Sequence, residues 1–398
     1  NSRAELLIQR RHEKAQNLQT YKLKKMEKLL LAIENTQIPA RIAMGFYGVH
    51  PLFGGLKTGA GTGGGVLYDP TQNLKHFRFS LKAAFSVRSY QLYQAILGYE
   101  DAQSSVFGYV RYQDSPQEDF FGIGANSLEA NRTNFSWQDT NIGGAVGLRL
   151  HRNISTILNV FYSNNKIRAG TDKKYPSTEE RFEEPEIPGF GNDMAFVVAK
   201  ANITFDSRNV FYPENATMKH ALTDDPLRHR TANPYKGTLI SLEASRYKDQ
   251  SNGQFDFKRL EIEFQQYIPF YKGHQVIAFR HFGSIVDRDS GADIPFYLMQ
   301  HLGGVNSLRG YREYRFQDRN ALLFNVEYRW LVWSGLDMAL FLDAGNVYPR
   351  AKDISLEDLK TSYGIGFRVN TSYAVMLRID IGHSEEGTLI HMQFNHVF

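Results

Sequence analysis

The sequence of 398 residues contains no cysteine. This absence excludes disulfides, thiolate nucleophiles and cysteine metal sites. The chain also lacks a run of about 18 apolar residues, the minimum for a membrane-spanning helix. The longest apolar cluster near the start, Leu29 to Ile33, is far shorter. Both a soluble β-rich protein and a transmembrane β-barrel fit these absences, because barrel strands face lipid with only every second residue.

Motifs of catalysis are scarce as well. The sequence has no G-x-S-x-G, no P-loop and no paired Cys/His ligands. The segment Gly59 to Gly64 satisfies G-x-G-x-x-G, but it follows no βαβ pattern and opens no helix, so nucleotide binding is disfavoured. The sequence therefore predicts a protein that is not an enzyme and that needs no cofactor and no metal ion.

The positive charge is concentrated at the N-terminus. Residues 1–36 contain eight Lys/Arg and four Asp/Glu, which accounts for the whole formal net charge of +4. Proline and glycine are absent from Ser2 to Asn35, and one helical face carries Leu23, Met26, Leu30 and Ile33. The segment predicts a basic amphipathic helix, which contacts an anionic lipid surface or a partner and not nucleic acid. Residues 37–61 are predicted to be a linker.

From residue 62 to residue 398 the pattern has a period of two. In ALLFNVEYRW, one face carries Leu322, Phe324, Val326, Tyr328 and Trp330, and the other carries Asn325, Glu327 and Arg329. Such alternation indicates strands with one apolar and one polar face. We predict sixteen antiparallel strands that form a transmembrane β-barrel. A soluble β-sandwich also alternates, so periodicity alone leaves both folds open.

The predicted strands begin at 62–70 and end at 388–398, and segments 130–140 and 142–152 are predicted as two separate strands. Long connections at 169–193, 288–318 and 349–360 are predicted on one side. Short turns lie on the other side, as in outer-membrane barrels. Two connections, 117–129 and 208–236, are predicted as long exceptions on the short-turn side.

Three late features carry a family resemblance: SLRGY at 307–311, FLDAG at 341–345 and a final strand that ends at Phe398. Together they resemble the bacterial outer-membrane barrels for protein assembly and two-partner secretion, the relatives of BamA, TamA and FhaC. The resemblance implies that 288–318 is the sixth extracellular loop, that it folds into the barrel lumen, and that Arg309 contacts Asp343. Family members usually carry periplasmic POTRA modules. The segment before residue 62 is too short for one, so the sequence predicts a short member without them or a chain trimmed from a longer one.

The predicted lock between loop and barrel wall comprises Arg309, Gly310, Tyr311, Phe341, Asp343 and Gly345. Alternation places Phe341 and Asp343 on the lumen side. Glu327 and Asp380 share that parity and are candidate second partners of Arg309. The alternative for SLRGY is a surface turn with a solvated arginine.

A weak seam is predicted where the first and last strands meet. Its residues are Gly59, Gly61, Gly63, Gly64, Gly65, Phe394 and Phe398. Glycine lets a strand bend and pair weakly, and an open strand edge can pair with another chain. With the resemblance, this predicts an outer-membrane protein that inserts or translocates polypeptide, or lipid, through the seam. Its partners would be outer-membrane lipid, an unfolded polypeptide and a periplasmic protein at the helix. The alternative is a gated or plugged pore for small solutes, or a membrane anchor for a partner protein.

Overall fold

The computed structural model describes residues 47–53, 56–57, 59–70, 76–183, 186–209, 234–271, 274–333, 336–370 and 375–394. The predicted N-terminal helix at 1–36 and Phe398 lie outside these residues. Within the described part of the chain, no helix is both long and apolar enough to cross a bilayer.

The main element is a sixteen-stranded antiparallel sheet in which neighbouring strands follow one another along the chain. Its strands are β1 (Val49–Phe53), β2 (Gly63–Tyr68), β3 (Phe77–Ser86), β4 (Gln91–Glu100), β5 (Ser104–Phe120), β6 (Thr133–His151), β7 (Ile154–Ala169), β8 (Asp193–Asp206), β9 (Gly237–Asp249), β10 (Phe257–Phe270), β11 (Gln275–Arg288), β14 (Asn320–Trp333), β15 (Leu336–Tyr348), β16 (Lys360–Asn370), β17 (Val375–Ser384) and β18 (Gly387–Phe394). Two short strands, β12 (Gln300–Leu302) and β13 (Phe316–Asp318), form a separate small sheet. The predicted all-β fold with sixteen antiparallel strands is confirmed.

Two strand predictions were wrong, and the errors cancel in the count. Residues 130–140 and 142–152 do not form two strands, because β6 pairs with β7 from Phe135 to His151, across the proposed break. Asn141, which falls at the predicted break, is buried on the inner face of that strand, as is Asp139. The missing strand is β1, which lies inside the segment predicted as a linker and contains a proline.

With the corrected strand order, one connection lies at the opposite end of the sheet from the one predicted. Antiparallel strands alternate in direction, so connections fall on alternate ends of the sheet. With β6 continuous, residues 121–132 lie at the same end as 170–192, 289–319 and 349–359. The prediction that 117–129 interrupts the short-turn end was therefore wrong. The connection between β8 and β9 does lie at the short-turn end.

The sheet has an apolar outer face and a polar inner face. In β15, Leu340 and Leu342 are exposed, whereas Phe341 and Asp343 are buried. In β14, the inner face carries the buried Asn325 and Glu327. An outer face of this kind suits lipid, since contiguous apolar surface is unfavourable in water.

At the long-loop end, strand residues and connections pack together in one hydrophobic cluster. Phe296, from the connection between β11 and β14, has its ring centroid 5.1 Å from that of Phe120, 4.9 Å from Phe135 and 6.1 Å from Phe190. These partners belong to β5, to β6 and to the connection between β7 and β8. Residues 289–319, hereafter the inward loop, thus pack against β5, β6 and the connection between β7 and β8 before they turn inside the sheet.

Candidate functional site

Arg309 lies at the innermost part of the inward loop and is 2% exposed. Its Nε donates to Asp343 Oδ2 at 2.9 Å, and its Nη2 donates to Asp343 Oδ1 at 2.5 Å. The backbone N–H of Arg309 also donates to Asp343 Oδ2, at 3.1 Å. A planar guanidinium matches a carboxylate in this two-point way, which lysine cannot do. The structure therefore brings the arginine of SLRGY to the aspartate of FLDAG.

Asp343 is fully buried and has neutral donors in addition to Arg309. Asn325 Nδ2 donates to its Oδ1 at 2.8 Å, and Ser362 Oγ donates to its Oδ2 at 3.2 Å. The Arg309 guanidinium carbon lies 3.5 Å from the ring centroid of Phe341. This stacking adds a cation–π contact to the ion pair. The side chains that contact the Arg309 guanidinium or its partner Asp343 come from β14, β15 and β16.

Glu327 is a second direct partner of Arg309 and accepts from its Nη1. Its other oxygen accepts from Arg329 Nε at 2.6 Å, and Arg368 Nη2 lies 3.5 Å from its Oε1. Asp380 joins the group through arginines: Arg368 Nη1 donates to it at 2.7 Å and Arg378 Nε at 2.6 Å.

The lumen cluster is defined here as Arg309, Arg329, Arg368, Arg378, Asp343, Glu327 and Asp380. It pairs four cations with three carboxylates in the interior of the sheet. Burial alone would lower the pKa of Arg309, but the charges of Asp343 and Glu327 outweigh this effect and raise the pKa above its ordinary value. Arg309 therefore stays charged, and removal of one partner would leave an uncompensated buried charge.

Two glycines allow the inward loop its shape. Gly303 has φ +120°, in the region that favours glycine, and an added Cβ would lie 2.0 Å from the Arg312 carbonyl oxygen. Gly310 is pressed against the barrel wall, where an added Cβ would lie 2.7 Å from Ser362 Cβ and 2.8 Å from the His383 carbonyl oxygen. The glycine of SLRGY is thus explained by the close approach of Gly310 to β16 and β17.

The remaining members of the predicted lock support the loop on either side. The Tyr311 ring packs edge-on against Phe316 with centroids 5.0 Å apart, and its hydroxyl donates to Glu385 at 3.4 Å. An added Cβ on Gly345 would lie 3.1 Å from Leu302 of the inward loop. Both residues therefore position the loop and do not touch the Arg309 guanidinium.

The predicted seam residues fall in different places. Gly63, Gly64 and Gly65 belong to β2, which pairs with β1 on one side and β3 on the other. They are not on the edge strand, so that part of the prediction was wrong; β1 had been missed. Gly59 and Gly61 lie in the connection between β1 and β2, and Phe394 is the last residue of β18. The helix face of Leu23, Met26, Leu30 and Ile33 lies outside the described residues.

Sequence reasoning named Arg309, Asp343, Glu327 and Asp380 and missed the other three members of the lumen cluster. Arg329 was noted only as a polar-face residue, and Arg368, Arg378, Asn325 and Ser362 were not assigned a role. Period-two parity was the available signal, because each of these residues lies on the face opposite its apolar neighbours. Among the residues that the structure describes, no group of three or more His, Asp or Glu is arranged to hold a metal ion.

A family model and a curated relative both match this chain. The Omp85 superfamily domain matches residues 70–396. The chain is 27% identical over 149 residues to the outer membrane protein assembly factor BamA of Nitratidesulfovibrio vulgaris, a match that covers 34% of this chain and 19% of that protein.

Solved structures match over most of the chain. BamA from Haemophilus ducreyi superposes with a TM-score of 0.59 at 15% identity, covering 87% of this chain and 68% of that one. CdiB from Acinetobacter baumannii superposes with a TM-score of 0.50 at 7% identity, covering 86% of this chain and 58% of that one. At these identities the likeness shows the fold alone. The chain thus spans under a fifth of the BamA relative and under two thirds of CdiB.

Proposed function

The chain belongs to the Omp85 superfamily and is a bacterial outer-membrane protein, and on this basis we propose that it inserts or translocates polypeptide through an opening between β1 and β18. Outer-membrane barrels have short periplasmic turns and longer extracellular loops. The inward loop then enters the lumen from the outside. The short-turn end faces the periplasm, where an unfolded polypeptide would arrive.

The observation that carries the proposal is the position of β1 and β18. In the described part of the chain the sheet order begins at β1 and ends at β18, so these strands are its two edges. On β18, Ile390 is 70% exposed and Met392 61%. An edge strand offers unpaired backbone groups to an incoming strand.

β1 is poorly suited to strong pairing along its outer edge. Asp69 donates its N–H to the Gly48 carbonyl at 2.6 Å, and Val49 lies opposite Tyr68. Because alternate residues of an antiparallel strand turn their backbone to opposite sides, Val49, Pro51 and Phe53 direct theirs to the outer edge. Pro51 has no N–H to donate. This five-residue strand therefore offers only two donors there.

A cross-link between the edges tests the proposal, and the cysteine-free sequence makes the chemistry selective. One cysteine would replace Val49 or Phe53 in β1, and a second would replace Ile390 or Met392 in β18, joined by a disulfide or a short bifunctional reagent. We expect the joined protein to keep its heat-modifiable mobility on gels yet to lose its ability to insert an unfolded outer-membrane barrel into liposomes. Reduction should restore the activity.

The control joins strands that are already paired. Tyr328 and Leu340 lie opposite each other on β14 and β15, so Tyr328→Cys with Leu340→Cys should cross-link without effect on insertion. Full activity with joined edge strands would refute the lateral opening. It would leave the small-solute pore as the better account, and ion conductance that appears when the inward loop is released would support that account.

A further inference from the structure

We propose that the inward loop is a clasp that holds both edge strands of the sheet, and that its contact with Lys57 on the β1 side must break before the edges separate. This inference rests on the proposed opening between β1 and β18. It adds the residues that control the opening, which neither the lumen cluster nor the strand order identifies.

The first half of the clasp is the connection between β1 and β2. Lys57 lies in this connection, and its Nζ is 2.7 Å from Glu118 Oε2 at the end of β5. The same Nζ is 4.7 Å from the ring centroid of Tyr314, in the inward loop. The Lys57 side chain is 19% exposed and that of Glu118 only 3%. One ammonium group therefore ties the first hairpin both to the barrel wall and to the inward loop.

The position of Tyr314 depends on its neighbours. Its φ is +59°, a region that residues other than glycine seldom adopt. Its ring lies 4.2 Å from that of His301, centroid to centroid, within the same loop. A backbone held in a disfavoured conformation needs contacts to keep it there. Lys57 above the ring and His301 beside it are two such contacts.

The second half of the clasp is β18 together with the end of β17 and the turn that joins them. His391 Nε2 on β18 is 2.8 Å from the Arg309 carbonyl oxygen. Ser384 Oγ donates to the Gly310 carbonyl at 2.8 Å. Arg315 of the inward loop donates to Glu386, in the turn between β17 and β18, at 2.7 Å. The loop segment 309–315 thus touches this side at three points.

The two halves differ in how easily they release. The β18 side combines several contacts and lies next to the buried lumen cluster. Among the residues that the structure describes, Lys57 holds the β1 side, and its ammonium interacts with one carboxylate and one ring. Because a contact with fewer supports breaks at lower cost, separation of the edges begins with Lys57, while the inward loop stays on β18.

The plainer interpretation is that Lys57 merely neutralises Glu118 and has no bearing on the edges. The distance between β1 and β18, measured in the purified protein without any substrate, distinguishes this interpretation from the clasp. Spin labels on Val49→Cys and Ile390→Cys would report the separation of β1 and β18 in lipid nanodiscs. Lys57→Met removes the charge and keeps the length of the side chain. We expect a roughly fivefold larger population of long distances, as for the loss of about 1 kcal/mol from one partly buried cation contact.

Lys360 of β16 is a matched control away from β1, since its partner Glu385 lies in the turn between β17 and β18. Its Nζ is 5.4 Å from the Phe316 ring centroid in the inward loop and 3.2 Å from Glu385. Lys360→Met therefore removes a similar cation that contacts the same loop. Because the other contacts between the loop and β18 remain, we expect no change in the distance between β1 and β18. Lys57→Arg keeps the cation and should also leave the distance unchanged.

Lys57→Met with Glu118→Gln guards against an effect of the unpaired carboxylate. We expect this double variant to lengthen the distances as the single variant does. Unchanged distances in both variants, or an equal shift with Lys360→Met, would overturn the clasp. Wider edges with unchanged polypeptide insertion would instead count against the proposed function and leave the clasp standing.

Discussion

Arg309 is bound to Asp343 through its side chain and through its own backbone N–H, so one carboxylate fixes both the guanidinium and the main chain of the inward loop. With the side-chain pair alone, the main chain of the loop could shift along the barrel wall while the arginine side chain changed conformation to keep its contact. The backbone contact removes that freedom.

Replacement of the arginine should therefore be costly. Arg309→Ala leaves Asp343 and Glu327 without their shared cation in the interior, and we expect the free energy of unfolding to fall by about 3–5 kcal/mol. Guanidinium chloride unfolding of the detergent-solubilised protein measures this loss. Arg350→Ala removes an exposed arginine that pairs with Asp353 at the surface and should leave the midpoint almost unchanged. Equal effects of the two substitutions would contradict a buried lock.

Charge balance in the lumen cluster gives a second prediction. Glu327→Gln leaves four arginines facing two carboxylates, so we expect clear destabilisation and faster proteolysis of the inward loop. Arg368→Met in the same chain returns the excess of arginines over carboxylates to one, as in the unsubstituted protein, and should recover part of the loss. A double-mutant cycle on the denaturation midpoints measures this coupling. Strictly additive effects would show that Glu327 and Arg368 do not interact.

The close approach of the loop to the wall gives a third prediction. Gly310→Ala places a methyl group 2.7 Å from Ser362 Cβ, so the loop must move away and lengthen the bonds to Asp343. We expect earlier protease cleavage in the inward loop, with the barrel still folded on gels. Gly108 on β5 has only one atom near its missing Cβ, at 3.9 Å. Gly108→Ala should behave as the unsubstituted protein does, and early cleavage in this variant would remove the steric explanation.

The hydrophobic cluster at the long-loop end gives a fourth prediction. Phe296→Ala removes a fully buried ring that contacts three other phenylalanines, and we expect a loss of about 3–5 kcal/mol in the free energy of unfolding. Leu356 is 70% exposed, so Leu356→Ala should have little effect. Comparable midpoints for the two variants would mean that the cluster does not stabilise the barrel.

The N-terminal segment gives a fifth prediction, which the structure leaves untouched. A basic amphipathic helix gains more from a lipid surface than from a polar lumen, since its apolar stripe then leaves water. We expect deletion of residues 1–36 to leave ion conductance in planar bilayers unchanged. A large rise in conductance would mean that the helix plugs the barrel.

The faces of the strands were predictable from sequence because alternation directly reports which residues share a side. Leu340 and Leu342 on the outside, with Phe341 and Asp343 inside, follow from that rule alone. The pairing of Arg309 with Asp343 needed the family resemblance as well, because 34 residues separate them and parity does not specify a loop contact.

The failures have physical causes. A lumen-lining residue such as Asn141 can be mistaken for part of a turn, because a polar lumen and open water favour the same side chains. Strand β1 was missed because it contains Pro51, and proline is expected in a sheet only at an edge strand, at a strand's first residue or at a bulge. Lys57 and Tyr314 are 257 positions apart by their numbers, and no local pattern joins residues at such a distance.

Phe296 also bears on how the cell-surface part of this protein can change over generations. In the proposed orientation, the connections at the long-loop end face the outside of the cell. Because Phe296 contacts aromatic rings from several segments at once, a change in one segment alters the packing of the others. Substitutions that the fold tolerates should therefore collect at exposed positions such as Leu128 and Leu356, while the aromatic residues of the cluster stay the same.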